Sequence, residues 1–460
     1  MITCPAWRSE RYAVLGLARS GAATVRALLA IGAEVVAWDS DAAKRDVLLA
    51  PPLQGRGWGG GVQQALSPAD SPHPNPSPEG EGLLSFADPT TIDLTGFAAV
   101  IVSPGVPLNR HPIAKIARDA DVPVIGDIEL FAQAHAYMPS NRVVGITGTN
   151  GKSTTTALIH HIVETAGIPA RMGGNIGLPI LGEAPLPIGG VYVLELSSYQ
   201  IDLTRSLDCD VAVLLNITPD HLDRYDGFAG YAASKARLFA MQSKDHDAVI
   251  GIGDAASAAI ARSLSSRGEH LHKIAPGVCM DQSRWPSLQG PHNAQNALAA
   301  ITACQALGVP EAAIEAGLES FTGLPHRMER VGVVNGVAYV NDSKATNPDS
   351  TAPALAAFDR IHWILGGQAK TDNLDACRPS FGHVRAAYTI GEAGMLFRDL
   401  LSNDMPTTYA ENLADAIDLA RAAAEPGDTV LLSPACASFD QFKDYEDRGD
   451  TFRRLVEALA

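Results

Sequence analysis

The stretch Arg142–Gly167, RVVGITGTNGKSTTTALIHHIVETAG, decides how the rest of the chain is read. VVGI is an apolar run of strand length. STTTALIHHIVETAG opens with Ser and Thr and has Gly167 near its end, the marks of a helix. Between them lies a glycine-rich turn carrying one lysine. Backbone N–H groups and the dipole at a helix N-terminus favour phosphate, and Lys152 adds a mobile positive charge. Ser153 and Thr154 are placed to offer a hydroxyl to magnesium. The usual spacing, G-x-x-x-x-G-K-[ST], would want glycine at position 146, where isoleucine stands.

A chain of 460 residues exceeds what one hydrophobic core usually serves, so two or three domains are expected. Abundant glycine and alanine with few aromatics suit a soluble α/β protein with tight helix–strand packing. No apolar run reaches membrane-spanning length, and the N-terminus lacks a basic, apolar, small-residue signal series, so the cytosol is the expected compartment. The six cysteines (Cys4, Cys209, Cys279, Cys304, Cys377, Cys436) form no C-x-x-C pair or zinc spacing and are expected to be buried free thiols. A formal net charge of −16 argues against nucleic acid or an anionic membrane as partner. A small phosphate ligand held by a few local groups remains compatible with it.

Working outward, YAVLGLARSGAATVRALLAIGAEVVAWDSD has a strand, Gly-rich turn, helix, strand pattern, and AAVIVSPGV and VPVIG look like later strands of the same sheet. Pro51–Gly82 is crowded with Pro, Gly and Ser and poor in branched apolar residues, so it is expected to be a disordered surface insertion. A second αβ segment runs from Arg142 to about Gly323, with strands VYVLEL and VAVLLNI and an alanine-rich helix near HNAQNALAAITACQAL. A third begins near LPHRMERVGVVNGVAYVNDSKATNP and ends in an amphipathic helix over DRGDTFRRLVEALA. Apolar strands alternating with helices predict mostly parallel sheets.

Two further clusters carry chemistry. VYVLELSSYQID ends an apolar strand in Glu195, where a carboxylate near a phosphate loop belongs as a magnesium ligand. LLNITPDHLDRYDG packs Asp220, His221, Asp223 and Arg224 directly behind another apolar strand. Lys235, between small residues on the following helix, reads by composition alone as surface.

GTNGKST, GGNIG, LELSSYQ, NITPDHLDRY, YAASK, HNAQNALAA, LPHRME, NDSKATNP and LLSPACASFDQFKDYEDRGDTF occur in the order and spacing of the Mur ligases, which the chain resembles over nearly its whole length outside 51–82. The family's loop is G-T-x-G-K-[ST], which Gly148, Gly151 and Lys152 keep, leaving Ile146 to the strand. The resemblance implies three domains: a Rossmann-like UDP-binding domain at 1–139, a central P-loop ATPase-like domain at 140–323, and a Rossmann-like amino-acid-binding domain with a parallel sheet at 324–460. It implies that ATP activates a nucleotide-linked carboxylate as an acyl phosphate, which an amino acid's amine then attacks. The expected substrates are UDP-N-acetylmuramoyl-L-alanine and D-glutamate, in peptidoglycan precursor synthesis, and the expected state is a monomer.

Residue by residue, Gly148, Thr149, Asn150, Gly151, Lys152, Ser153 and Thr154 would hold ATP, joined by Asn293 and Asn296 on the adenine side. Arg327 and Asp342 would face its phosphates and ribose. Ser153 and Glu195 would serve one Mg2+, and His221 a second together with Lys235, which the family carbamylates to N6-carboxylysine. Lys152, His221 and Lys235 would thus be the catalytic set. Gly16 and Ser20 of GLARSG, Asp39 and Ser40, and Ser103, Pro104 and Gly105 would hold the UDP end, with Asn175 near the muramoyl part. Lys344, Thr346, Lys370, Ser438, Phe439 and Tyr445 would surround the acceptor's carboxylates. Two departures matter: Gln368 replaces the aspartate of GGDxK, and Ala18 replaces the middle glycine of G-x-G-x-x-G.

Three alternatives stay open at this level. A nucleotide-dependent switch would explain the loop and Glu195 but gives no reason for NDSKATNP. A nicotinamide-dependent oxidoreductase rests on the first thirty-nine residues and leaves Lys152 unexplained. A sister ligase with another acceptor, such as L-glutamate, offers the same charges, because chirality cannot be read from a motif.

Overall fold

The computed structural model describes residues 1–49, 82–275, 277 and 280–459. The expected insertion, except for Gly82, and Cys279 lie outside the described residues. The chain divides into two compact units. One comprises Met1–Gly145, Arg171–Asp210 and Pro219–Ser243; the other comprises Ile146–Ala170, Val211–Thr218 and Lys244–Ala460.

In the first unit, the four apolar runs predicted as strands are joined by one that was not, β3, in a five-stranded sheet among the described residues. Its strands are β1 (Arg11–Leu15), β2 (Glu34–Trp38), β3 (Leu84–Phe86), β4 (Ala99–Val102) and β5 (Val124–Ile125). They lie parallel in the order β3-β2-β1-β4-β5. The chain walks outward from β1 to β3 and returns to β4, so the order reverses between β1 and β4. In open parallel sheets, the crevice at such a reversal is where ligands bind. Gly16 follows β1 there and Ser103 follows β4. The helix Arg19–Ala30 covers this sheet with Val25, Ala27 and Leu28, all fully buried. β6 (Arg142–Thr147) begins in this unit and ends in the other, and β7 (Ala170–Gly174) and β8 (Val191–Glu195) follow.

In the second unit, β9 (Val211–Leu214), β10 (Asp247–Gly251) and β11 (Leu271–Ile274) run parallel. The phosphate-loop helix Lys152–Thr165 packs with the helices Pro291–Ala306 and Glu311–Ser320. The last of these approaches closely: a Cβ at Gly317 would lie 2.9 Å from the Cα of Ile162.

The C-terminal sheet holds β12 (Glu329–Val334), β13 (Val337–Asn341), β14 (Ile361–Gly366), β15 (Val384–Ile390), β16 (Thr407–Tyr409) and β17 (Thr429–Leu432), in the order β12-β13-β17-β14-β15-β16. It is parallel except for the β12–β13 hairpin. That hairpin turns through Asn335 and Gly336, with φ of 52° and 80°, the left-handed pair a two-residue hairpin turn needs. The sheet is buried on both faces, with Trp363, Phe397 and Leu431 on one and Ile364, Tyr388 and Phe452 on the other. Covering both faces explains why its central strands β14 and β17 are mostly apolar. The last helix spans Tyr445–Glu457, starting before the stretch that looked amphipathic because Asp444 caps it by accepting from the Asp447 N–H.

Among the described residues, no helix is long and apolar enough to cross a membrane. The described cysteines (Cys4, Cys209, Cys304, Cys377, Cys436) are buried free thiols, as expected.

Candidate functional site

A cavity in the second unit gathers much of the expected nucleotide set. Asn150, Gly151, Thr154, Asn293, Asn296, Arg327 and Asp342 line it, together with Lys344. Its shape begins with the loop. Gly151 has φ +86, and a Cβ there would sit 2.3 Å from the Asn296 carboxamide oxygen, so glycine is required on both counts. Asn296 in turn donates from Nδ2 to Asn293 Oδ1 at 3.1 Å, which confirms that the two share one helical face.

The loop is also tied to the end of β9. Asn216 accepts from the Asn150 N–H at 2.9 Å and donates to the Asn150 carbonyl at 3.1 Å. Thr149 Oγ1 accepts from the Thr218 N–H at 3.0 Å. Lys152 Nζ lies back over its own loop, donating to the Gly148 and Thr149 carbonyls at 2.9 and 2.8 Å. Ser153 is buried beneath it.

On the cavity's other wall, Asp342 is buried and accepts from Ser433 Oγ at 2.8 Å and from the Met328 N–H at 3.2 Å. Burial raises its pKa from 3.8 to about 7, against the opposing pull of these hydrogen bonds and of Arg327. His292, another lining residue, is pushed down to about 4 by burial, which favours the neutral ring.

Several residues expected at the acceptor meet near this wall. Lys344 Nζ sits 3.8 Å from the centre of the Tyr445 ring, a cation–π contact. Lys370 Nζ donates to Thr346 Oγ1 at 3.3 Å. Ser438 is buried, whereas Phe439 is 69% exposed and turned to solvent. Gln368 exchanges backbone hydrogen bonds with Ala437, both 2.9 Å, so the strand-end loops are fixed here by main chain whatever the side chain at 368.

The first unit holds the remaining expected residues. Glu195 is buried, and its Oε1 accepts from Asn175 Nδ2 at 2.9 Å. A Cβ at Gly174 would meet the Glu195 carbonyl at 2.1 Å, so GGNIG must approach that strand end as bare backbone. Glu195 Oε2 is buried without a hydrogen-bond partner. A buried carboxylate oxygen left unpaired suits a hard cation. No group of three or more His, Cys, Asp or Glu side chains able to hold a metal occurs among the described residues. A magnesium ion would therefore complete its shell with hydroxyl, phosphate or water oxygen.

His221 is exposed and carries a left-handed φ of 53°, a strained value of the kind found at functional positions. Its ring lies 6.4 Å from that of Tyr231, whose face is 4.7 Å from Lys235 Nζ. Lys235 is only 1% exposed, so the surface position suggested by composition is wrong. The small residues around it allow close packing, and that packing buries the lysine.

At the sheet reversal, Ser103 Oγ donates to the Gly16 carbonyl at 2.9 Å and, with Ser20, lines a small pocket. Asp39 accepts from the Leu17 N–H at 2.8 Å and the Asp41 N–H at 3.0 Å. Burial would raise its pKa, but these amides and Lys44, 3.7 Å away, outweigh it and hold the carboxylate ionised. Asp39 thus braces the glycine turn, while Ser40 beside it is exposed. The carbonyls of Pro104, Gly105 and Val106 accept from Arg224, which fixes the loop of His221 against that of Ser103.

Sequence reasoning named His326 without a role and gave none to Asn216, His292 or Arg448. All four sit inside quoted motifs, so their signal was present. Arg448 lies in a helix whose charge pattern looks like an ordinary solvated face.

The models of two domain families match this chain: the Mur ligase middle domain over residues 146–277 and the Mur ligase glutamate ligase domain over 326–436. A UDP-N-acetylmuramoylalanine–D-glutamate ligase of Novosphingobium aromaticivorans is 60% identical, covering 100% of this chain and 97% of the relative. One of the same description from Zymomonas mobilis is 52% identical, covering 100% of both. Among solved structures, the UDP-N-acetylmuramate–alanine ligase of Thermotoga maritima has the same fold, with a TM-score of 0.56 at 15% identity over 98% of this chain and 100% of that one. The chain belongs to the Mur ligase family.

Proposed function

We propose that this chain is an ATP-dependent ligase that adds D-glutamate to UDP-N-acetylmuramoyl-L-alanine in peptidoglycan precursor synthesis. The observation that carries the reading is the cavity that joins the phosphate loop to Arg327, Asp342 and Lys344. A nucleotide switch would need the loop alone. Full-length relatives described as that ligase support the substrate assignment. We assign three functional domains, at 1–139 for the UDP end, 140–323 for ATP and 324–460 for the amino acid, in a monomer.

A carboxylate is a poor electrophile, and its hydroxide a poor leaving group. The substrate's L-alanyl carboxylate attacks the γ-phosphorus of ATP, the bond to ADP breaks, and an acyl phosphate results. The amine of D-glutamate then attacks the acyl carbon, forming the amide, releasing phosphate and losing a proton. Little of this requires covalent help from the protein, whose work is positioning and charge neutralisation. Lys152 exchanges the loop carbonyls for phosphate oxygens, and the helix N-terminus offers its N–H groups. Asn293 and Asn296 hold the adenine end, and Asp342 and Arg327 the ribose and phosphates. Lys344, Thr346, Lys370 and Ser438 bind the acceptor's carboxylates, with Tyr445 fixing the Lys344 ammonium. Phe439, exposed beside Ser438, covers the acceptor.

Ser153 and Glu195 would each offer oxygen to magnesium, and His221 with carbamylated Lys235 would hold a further ion. Such ions would supply charge neutralisation between carboxylate and phosphate. A carbamate would give the buried Lys235 side chain the oxygen that magnesium requires and an ammonium lacks.

Phosphate release from ATP tests the reading, with UDP-N-acetylmuramoyl-L-alanine alone and then with D- and L-amino acids added. Release that depends on both substrates and prefers D-glutamate is expected. Equal or faster turnover with L-glutamate would replace the acceptor, and release indifferent to both substrates would overturn the ligase.

A further inference from the structure

Arg448, on the first turns of the helix Tyr445–Glu457, is 1% exposed. All its hydrogen bonds go to neutral acceptors. Nε donates to Ser343 Oγ at 3.0 Å, Nη2 to the Ser343 and Cys436 carbonyls at 2.9 and 3.1 Å, and Nη1 to the Gly366 and Ala437 carbonyls at 3.4 Å. Among the described residues it joins no salt bridge. The acceptors lie at the ends of three strands: Ser343 after β13, Gly366 at the end of β14, and Cys436 and Ala437 after β17.

Each of these positions neighbours a residue assigned above to the amino-acid acceptor. Ser343 precedes Lys344, Gly366 leads to Lys370, and Ala437 precedes Ser438. The surroundings leave the guanidinium little room. Gly367 has φ +125, and a Cβ there would lie 3.2 Å from Arg448 Nη1 and 2.3 Å from the Ala437 carbonyl. The next residue of the helix, Gly449, presses on His326: a Cβ there would come within 2.2 Å of Nδ1. Ser343 Oγ also donates to the Tyr445 carbonyl at 2.9 Å, tying the same loop to the first turn of the helix.

We propose that Arg448 is a positioning residue for the acceptor subsite, a buried fork that locks the three strand-end loops into one register. The inference rests on the ligase reading. Its physical basis is the cost of a buried cation with unmet donors: if one loop moves away, the guanidinium loses acceptors with no water to replace them. The loops therefore move together or not at all, and the groups that grip the amino acid are preorganised. Lysine could keep the charge but not reach three loops, because its ammonium is a point donor rather than a planar fork.

The test uses the full chain, with Arg448→Lys and Ser343→Ala compared with wild type by phosphate release at varied glutamate and varied ATP. Arg448→Lys should raise the KM for D-glutamate about tenfold or more and leave the KM for ATP within about twofold. Ser343→Ala should move the same constant in the same direction by about threefold. A loss of general stability would shift all constants or lower only the melting temperature. Parallel rises in both KM values, or unchanged kinetics in Arg448→Lys, would overturn the proposal while leaving the ligase intact. Wild-type phosphate release that ignores glutamate would instead overturn the ligase reading, and this inference with it.

Discussion

Asp342 should make the protein less stable as the pH rises through neutrality, and replacing it with asparagine should remove that loss. Its carboxyl titrates near 3.8 when unfolded and at about 7 in the folded chain, chiefly because it is buried. Between those values the folded state binds more protons than the unfolded state, so stability falls with rising pH and then levels off above about pH 7. The interval is roughly three pH units at about 1.4 kcal/mol each, an upper bound of about 4 kcal/mol. Relaxation around the charged carboxylate reduces this, so about 2–4 kcal/mol is expected at pH 8.5. Asparagine keeps an oxygen for the Met328 N–H, and the Ser433 hydroxyl can turn to accept from its amide. Asp342→Asn should therefore melt about 2–4 °C higher than wild type at pH 8.5, with the gap closing towards pH 4. Thermal unfolding of both proteins across that range is the assay. A pH-independent difference, or an asparagine variant less stable at pH 8.5, would refute the reasoning. The same variant should bind ATP more weakly, since a buried acid held against its solvation preference is poised for a ligand hydroxyl or cation.

Gly151→Ala combines left-handed strain of about 1–2 kcal/mol with a clash against Asn296, so the KM for ATP should rise at least about tenfold. Steady-state kinetics should show the KM for glutamate unmoved; equal effects on both would point to general damage. Glu195→Gln keeps the hydrogen bond from Asn175 while removing the charge, so the fold should survive and half-saturation by magnesium should rise about tenfold or more. An unaltered magnesium titration would remove Glu195 as a ligand. Lys235→Ala should lose at least about a hundredfold in activity, and bicarbonate or acetate should restore part of it. Full activity without additive would rule out the carbamate.

The sequence showed most clearly those features with a local cause. The phosphate loop could be read because strand, glycines, lysine and helix follow one another within Arg142–Gly167, and β4 because burial on both faces leaves it wholly apolar. β3 and β7 were missed: LSF is a three-residue edge strand, and ARMGG spends two of its five residues on glycines, of which Gly174 approaches Glu195. Lys235 and Arg448 show the harder limit. Whether a cation on a helix faces water or the interior depends on partners distant in the chain, such as Ser343 for Arg448, which no window of sequence contains. The resemblance to Mur ligases reversed the first of these misreadings, but nothing in the motifs marked the second.

The division of the chain into two units has a consequence for handling the protein. The backbone passes between them at 145/146, 170/171, 210/211, 218/219 and 243/244, so neither unit is a single contiguous stretch. No terminal truncation can therefore isolate either one: a cut at 145/146 leaves the second unit whole but joined to parts of the first, and a cut at 243/244 leaves the first whole but joined to parts of the second. The phosphate loop lies just past the first crossing, so its strand is begun by one unit and its helix folded by the other. Separating the two would require a rewired chain, because a circular permutation opened at one crossing leaves the others in place.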